Sequence, residues 1–257
     1  MAIKSSFSFI LAGLLLGLGW YSQVTATQKC ETNGTIFLIR HAETRANALE
    51  GTPWDRSCAQ ANHSITHLSD RGYEQAKELA DFFSDIPIDF VFTTEMFRTH
   101  ETVEPLVERQ HEKGRKPVFK AEPLINNIRL GPYECLNGTV PPLGKAFWDR
   151  LDNDPAFHAP DGESQADVRR RIEKFLKQVT EGRKYRSKNV ILVGHSRTLP
   201  ALQGYFLGAT VPEQKLLKAR NAEVYRVTCP DDGEYLVERR VPASTGNWGW
   251  EKVMLSR

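Results

Sequence analysis

Four side chains that could bind and attack a phosphate group stand at or just beyond the ends of predicted strands. The apolar run "TIFLIRH" ends on Arg40 and His41, and the run "VILVGH" ends on His195. Arg98 follows the run "FVFTT" by four residues, at the predicted start of a helix. Because the carboxyl ends of parallel strands meet at one edge of a sheet, we expect these imidazoles and guanidiniums to lie together.

This set of residues suits phosphoryl transfer through a histidine. A neutral His41 imidazole can attack phosphorus, and water can then hydrolyse the phosphohistidine. Arg40 and Arg98 offer planar forks that fit phosphate oxygens. A protonated His195 would add a third positive charge where the transition-state oxygens gather electron density. With His41 neutral and His195 charged, we expect a bell-shaped pH profile on the acidic to neutral side.

Thr44 and Asn47, just after His41, can add neutral hydrogen bonds to a phosphate. Each of these side chains alone has an ordinary structural explanation, because a single histidine near a strand end is usually a buried structural residue. Their joint occurrence favours a site. No carboxylate cluster with magnesium spacing accompanies them, so the sequence indicates neither a metal nor any other cofactor.

Strand-like and helical patterns alternate along the rest of the chain. Strands are predicted over residues 35–40, 90–94, 118–121, 190–193, 223–228 and 235–241. Helices are predicted from Asp70 onward, with Ser69 as N-cap, and within 95–110, 164–182 and 197–208. Several strands are apolar on both faces, which requires helices on each side of the sheet. We therefore predict an α/β fold, a three-layer α/β/α sandwich with a mostly parallel central sheet.

Five blocks of the sequence resemble the histidine phosphatase superfamily in its first branch, the phosphoglycerate mutase-like enzymes. They are "LIRHAETRAN", "LSDRGYEQAKELADFF", "FVFTTEMFRTHETVEPL", "DGESQADVRRRI" and "VILVGHSRTLPAL", in the order of the family. They cover most of residues 35–228, with Ala42 where the family signature usually has glycine. The second branch fits less well, since Asn47 follows Arg45 without the usual proline and the late motif is Gly194-His195-Ser196.

The resemblance implies a phosphoglycerate mutase-like fold and a catalytic role for each matched residue. His41 would be the phosphorylated nucleophile. The phosphate would be held by Arg40, Arg98 and His195, with lesser contacts from Thr44 and Asn47.

The general acid is the one part of the family pattern that this sequence lacks. Family members often carry a glutamate in a block like L-x-E-x-x-x-G, and "INNIRLGPYE" places Asn127 at that position. An amide has no proton to give. Either Glu134, seven residues further on, is the proton donor, or the enzyme favours substrates whose leaving group needs little protonation. The ordinary alternative for Glu134 is an exposed surface carboxylate.

The N-terminus has the pattern of a secretory signal. Lys4 precedes an apolar run over residues 7–20, and small residues end at Ala26, after which we expect cleavage. An uncleaved membrane anchor is the alternative, although a helix of that run would reach only about 21 Å of a ~30 Å hydrocarbon core. We therefore divide the chain into a signal peptide at 1–26 and one domain at 27–257, with an irregular cap or loop at about 123–162. We expect a periplasmic or secreted protein without stable membrane association after cleavage.

Export bears on the four cysteines, Cys30, Cys58, Cys135 and Cys229. No two of them have the spacing of a zinc site. One or two disulfides are expected in an oxidising compartment, with three pairings open, and buried free thiols are the alternative.

The charge of the chain helps to exclude one class of partner. The formal net charge is +2, or +1 after removal of Lys4 with the signal, and there is no large basic cluster. Nucleic-acid binding is therefore disfavoured, and a small-molecule phosphomonoester is the expected partner.

Three functions compete on these observations. The first is an exported phosphatase that acts through phospho-His41. The second is a phosphoglycerate mutase, which the signal pattern and Asn127 both disfavour. The third is a non-catalytic phosphate- or glycan-binding module. Specificity would come from residues 123–162 and the C-terminal tail, whose tryptophans are expected to pack, with stacking on a sugar as the alternative: Trp148, Trp248 and Trp250.

Overall fold

The computed structural model describes residues 30, 34–230, 233–242 and 248–255. The predicted signal peptide at 1–26 lies outside these residues. Within them, no helix has both the length and the apolar character needed to cross a membrane.

Seven strands form one central sheet, and two short strands form a second. The strands are β1 (Ile36–Arg40), β2 (Arg56–Ser57), β3 (Phe90–Thr93), β4 (Val118–Ala121), β5 (Leu136–Asn137), β6 (Val190–Gly194), β7 (Val224–Thr228), β8 (Leu236–Pro242) and β9 (Trp248–Lys252). The central order is β4-β3-β6-β1-β7-β8-β9, and β2 pairs with β5. Strands β4, β3, β6 and β1 are parallel neighbours, whereas β7, β8 and β9 continue the sheet antiparallel. Since β8 again points along β1, five of the seven strands share one direction, which confirms the mostly parallel sheet.

Six helices connect and cover the strands in the described part of the chain. They are α1 (Arg45–Ala48), α2 (Asp70–Phe82), α3 (Phe97–Glu112), α4 (Lys145–Asn153), α5 (Gln165–Glu181) and α6 (Leu199–Leu207). The Ser69 hydroxyl caps α2 by accepting from the Gly72 N–H at 3.1 Å, as predicted. Ser164 and Asp167 cap α5 reciprocally, and Gly182 ends that helix.

The side chains of the sheet alternate between two cores. Phe37 and Ile39 of β1 belong to one core, with Leu79 of α2, Phe83 just after that helix and Leu106 of α3. Ile36 and Leu38 belong to the other core, which also contains buried side chains from α5 and α6. Because successive strand residues point to opposite faces, a strand apolar at every position needs a helical layer on each side. The three-layer α/β/α fold is therefore confirmed, and burying each such side chain stabilises it by roughly 1.5–3 kcal/mol.

The structure adds elements that the sequence did not predict. Residues 123–162, expected to be irregular, contain α4 and β5. The tail tryptophans also differ from one another. Trp250 of β9 packs against Phe82 at the edge of the core. Trp248 of the same strand is 56% exposed. Trp148 of α4 packs edge-on against Phe147, with 5.1 Å between ring centroids.

All four cysteines form disulfides. Cys30 pairs with Cys229, with their Cα atoms 5.7 Å apart, and Cys58 pairs with Cys135, with Cα atoms 4.2 Å apart. The expectation of disulfides is confirmed, and the structure selects one of the three pairings that the sequence left open.

Candidate active site

The ends of β1, β3 and β6 bring the predicted catalytic residues together. Strand β6 lies between β1 and β3, with Arg40 opposite Gly194 in the register. The His41 N–H donates to the Gly194 carbonyl at 3.0 Å, and the rings of His41 and His195 are 5.2 Å apart between centroids. The sheet therefore places both imidazoles at one edge, as parallel strands with a shared register require.

The His41 ring is oriented so that one particular nitrogen is free to react. Its Nδ1 lies 2.7 Å from the Ala42 carbonyl, which can only accept, so Nδ1 carries the proton. Burial, reinforced by the charges of Arg98 and Arg40, holds the pKa of His41 well below 6.5. The ring is therefore neutral near pH 7, and its lone pair lies on Nε2. Among the residues that the structure describes, no group hydrogen-bonds to Nε2, which makes it the available nucleophile.

Arg98 lies in the first turn of α3, only 4% exposed, and the protein fixes its guanidinium on several sides. Its Nε donates to Nδ1 of His195 at 3.2 Å. Its two terminal nitrogens donate to the carbonyls of Ala59 and Ala61. Each terminal nitrogen retains one further N–H, so a bidentate contact with a phosphate stays available. Burial lowers the pKa of Arg98 to about 10, and the side chain is still a cation at neutral pH.

His195 lies behind this pair and is completely buried. Because its Nδ1 accepts from Arg98, that nitrogen carries no proton, and Nε2 pairs with the Thr94 hydroxyl at 3.0 Å. Burial, followed by the charge of Arg98, holds the pKa of His195 well below 6.5. In this arrangement the ring is therefore neutral and orients Arg98. The charged form belongs to the site with phosphate bound, where the anion would raise the pKa of His195, and it stays a prediction. The space beside Gly194 is filled by Thr198, whose hydroxyl accepts the His195 N–H at 2.9 Å.

Arg40, the last residue of β1, is the second cation that acts on His41. Its Nη1 donates to the Ala219 carbonyl at 2.8 Å. Its Nε is buried and has no hydrogen-bond partner among the described residues. Burial lowers the pKa of Arg40, while Glu50 and Glu223 raise it. An unpaired buried donor costs stability unless a ligand accepts from it, which is consistent with an anion site.

Thr44 and Asn47 reach the site through a helix cap. The Thr44 hydroxyl accepts from the Asn47 N–H at 3.1 Å and donates to Asn47 Oδ1 at 3.0 Å, so the pair caps α1. Asn221, which the sequence did not single out, donates from Nδ2 to the His41 carbonyl at 3.0 Å and to Asn47 Oδ1 at 3.1 Å. Its position just before β7 was the only available signal.

A cleft of about 610 Å³, large enough for a small organic molecule, is lined by Arg40, His41, Thr44, Asn47 and Arg98. His195, being fully buried, does not contribute to the lining. The wall beyond the catalytic residues includes Trp148 and Arg197, whose guanidinium lies 5.2 Å from the Trp148 ring centroid and pairs with Asp152. Further charged residues line the cleft: Glu50, Asp55, Arg56, Lys145 and Lys218.

The two candidates for proton donation occupy different positions. Asn127, which stands where the family often has a glutamate, is only 9% exposed and lines the cleft. Glu134 does not line it. Its Oε1 accepts from the N–H groups of Gln60 and Ala61 at 2.7 and 3.1 Å, and burial raises its pKa. Glu134 is therefore a half-buried support for the 60–61 backbone, and the interpretation as a simple surface carboxylate is wrong.

The comparison with protein families agrees with this geometry. Residues 36–241 match the model of the histidine phosphatase superfamily (branch 1), a span that includes His41, Arg98 and His195. The chain belongs to this superfamily. Its named relatives include phosphatases as well as probable phosphoglycerate mutases. By its likeness to the phosphatases, this histidine phosphatase is a phosphomonoester hydrolase.

Two relatives and one structure illustrate the likeness. The histidine phosphatase is 26% identical over 214 residues to a 5''-phosphoribostamycin phosphatase of Niallia circulans, covering 79% of this chain and 93% of that one. It is 25% identical over 175 residues to an adenosylcobalamin/alpha-ribazole phosphatase of Escherichia coli K12, covering 67% and 79%. A mycobacterial glucosyl-3-phosphoglycerate phosphatase in complex with VO3 has the same fold, with a TM-score of 0.63, 18% identity, and coverage of 87% and 100%.

The burial of both histidines predicts how the histidine phosphatase responds to acid. Because the pKa values of His41 and His195 lie below 6.5, both rings are expected to stay neutral until the pH falls well below that value. The unfolded chain takes up these protons first, so the histidines also make stability fall as the pH drops below about 6.5. Imidazole NMR titration of the free enzyme measures this directly, with His41→Ala to assign one signal. A midpoint above 6.5 for either ring would contradict the arrangement described above.

Proposed function

We propose that the protein is an exported phosphatase that hydrolyses small-molecule phosphomonoesters through a phosphohistidine on His41. The observation that carries this proposal is the free Nε2 of a neutral, buried His41 that lies within the electrostatic influence of Arg40 and Arg98. Neither of these two guanidiniums hydrogen-bonds to a carboxylate in the part of the chain that the structure describes, so the nucleophile and both cations suit a dianionic ester.

The reaction divides into two displacements at phosphorus. In the first, Nε2 of His41 bonds to phosphorus as the bond to the ester oxygen breaks, and that oxygen leaves with its electron pair and takes a proton from water. In the second, water attacks the phosphohistidine, the P–N bond breaks and orthophosphate leaves. In both steps Arg98 and Arg40 donate to the phosphoryl oxygens, which carry the charge of the transition state.

Two features support a small substrate and an exported protein. The cleft has the volume of small-molecule sites, and two relatives are named for small phosphorylated compounds. The charged-apolar-small pattern of residues 1–26 and the two disulfides both fit an oxidising compartment outside the cytosol.

A panel of phosphomonoesters tests the proposal on the chain from residue 27 onward. We expect phosphate release and, after rapid denaturation at alkaline pH, a labelled protein whose phosphate is lost on later treatment with acid. Release of phosphate without any labelled intermediate would contradict the role of His41. Phosphoryl exchange that depends on 2,3-bisphosphoglycerate, without release, would instead support a mutase, and binding without labelling would support a non-catalytic module.

Asn127 offers a separate prediction about the leaving group. No acid stands at this position, so we expect p-nitrophenyl phosphate to be hydrolysed far faster than an alkyl phosphate. Asn127→Glu should raise kcat/KM for the alkyl phosphate about tenfold or more and change that for the nitrophenyl ester little, because general acids assist only poor leaving groups. Burial would favour the protonated carboxyl that this requires.

Asn127→Gln is the matched control, since it has the length of glutamate without an acidic proton. An equal change for both substrates, or the same gain in the glutamine variant, would show that this position does not face the leaving oxygen.

A further inference from the structure

The backbone of residues 58–61 determines where the Arg98 guanidinium lies. Nη2 of Arg98 donates to the Ala59 carbonyl, and Nη1 donates to the Ala61 carbonyl at 3.4 Å. We call residues 58–61 the arginine loop. A side chain held by carbonyls follows the backbone that carries them, and Arg98 is buried with few alternative positions. Whatever fixes the arginine loop therefore also fixes a cation of the phosphate site.

Residues 134 and 135 hold this loop along its length. The Cys58–Cys135 disulfide fastens its first residue, and the Cys135 N–H donates to the neighbouring Ser57 carbonyl at 2.6 Å. Glu134 binds the other end, since its Oε1 accepts from the N–H groups of Gln60 and Ala61. The arginine loop is therefore attached covalently through Cys135 and by hydrogen bonds through the preceding residue, Glu134.

The backbone conformation of Cys135 indicates that its surroundings, including the disulfide to Cys58, hold this residue in place. Cys135 has a φ of 60°, in the left-handed region that residues with a side chain rarely adopt. Such a conformation persists only where the surroundings impose it, and such residues cluster at functional sites. Without the bond to Cys58, we expect this backbone to relax and to move the Glu134 carboxylate with it.

We propose that the Cys58–Cys135 disulfide is a positioning element of the phosphate site, which holds Arg98 in place through the arginine loop. The proposal rests on the phosphatase function proposed above. The second disulfide has no such connection. It joins Cys30 to Cys229, the residue just after β7, and the Cys30 N–H donates to the Gly233 carbonyl at 3.0 Å. Neither of these cysteines lines the catalytic cleft.

The two disulfides therefore give a matched pair of variants. We expect Cys58→Ser/Cys135→Ser to raise the Ki for inorganic phosphate about tenfold or more, and to lower kcat/KM for p-nitrophenyl phosphate by at least as much. We expect Cys30→Ser/Cys229→Ser to keep both values while lowering the melting temperature. A purely structural role for Cys58–Cys135 would affect melting alone.

The pH profile provides a readout that general destabilisation does not move. The charge of Arg98 is one cause of the low pKa of His41. If the guanidinium moves away, the pKa of His41 rises, and the acid limb of kcat/KM shifts to higher pH in Cys58→Ser/Cys135→Ser. The limb should not shift in Cys30→Ser/Cys229→Ser.

A double-mutant cycle identifies Arg98 as the residue through which the disulfide acts. In an Arg98→Ala background, removing Cys58–Cys135 should change kcat/KM by less than about twofold, because coupled residues are not additive. Full additivity of the two effects, or wild-type Ki and pH profile in Cys58→Ser/Cys135→Ser, would overturn the proposal.

The test can also be made if Cys58→Ser/Cys135→Ser does not fold. Cys30→Ser/Cys229→Ser retains only the disulfide of interest, which tris(2-carboxyethyl)phosphine can reduce in the folded protein while circular dichroism monitors the fold. The reduced protein should show the same rise in Ki and shift in pH profile, and reoxidation should restore both. If the wild type releases no phosphate from p-nitrophenyl phosphate, the proposed function fails. If it does so but reduction has no effect, only this inference fails.

Discussion

Replacing His41 with alanine is expected to abolish turnover, with a fall in kcat of at least about 10⁴-fold, because the variant lacks the nitrogen to which the phosphoryl group is transferred. His195 cannot substitute for it, since both of its nitrogens are engaged and it does not line the cleft. The measurements are kcat for p-nitrophenyl phosphate and the yield of acid-labile phosphoprotein. Both should reach background in His41→Ala.

The fold of that variant should remain intact. His41 makes one side-chain hydrogen bond, to the neighbouring Ala42 carbonyl, and its ring does not belong to either core. Binding of inorganic phosphate should also persist, since Arg40 and Arg98 stay in place. His111→Ala, at an exposed position near the end of α3, is the control and should behave as wild type. Phosphoprotein in His41→Ala would identify another nucleophile.

Replacing Arg98 with alanine is expected to have the second largest effect, a fall in kcat/KM of about 10²–10³-fold. The phosphate loses a bidentate donor, and the Ala59 and Ala61 carbonyls lose their partner. Because these two carbonyls are left without a donor, the free energy of unfolding should fall by about 1–3 kcal/mol. Phosphate inhibition, kcat/KM and denaturant unfolding measure these effects separately.

Two further variants separate charge from geometry at this position. Arg98→Lys keeps a cation but cannot make two parallel contacts, so it should recover only part of the lost kcat/KM. Arg109→Ala removes an exposed arginine of the same helix, which pairs with Asp81 and Glu112, and should change activity little. Equal activity of Arg98→Lys and wild type would show that the fork geometry is not used.

The sequence predicted the site as far as side chains at strand ends could reveal it. Arg40, His41, Arg98 and His195 lie together because β1, β3 and β6 are parallel neighbours, which the alternation of apolar strands and helices already indicated. The helix boundaries could be predicted from caps such as Ser69, because its hydroxyl accepts from the N–H of Gly72, only three residues further along the chain.

What the sequence did not reveal depends on groups that have no residue signature. The Ala59 and Ala61 carbonyls hold Arg98, yet every residue has a carbonyl, and only the path of the loop selects these two. The protonation state of His195 depends on its hydrogen bond with Arg98. Because Nε of Arg98 can only donate, the ring nitrogen that accepts from it carries no proton. Strand β9 lacks a β-branched run, with sequence WGWEK, and forms by pairing with β8.

The backbone carbonyls around the two arginines have a thermodynamic consequence. Arg40 and Arg98 donate to neutral oxygens of the protein and to no carboxylate among the described residues, so both guanidiniums keep N–H groups and positive charge for a tetrahedral oxyanion. Any such ion binds the native chain more tightly than the denatured one and thus raises its resistance to heat by mass action. The product of the reaction is one of these ions, and its accumulation both slows the enzyme and protects it.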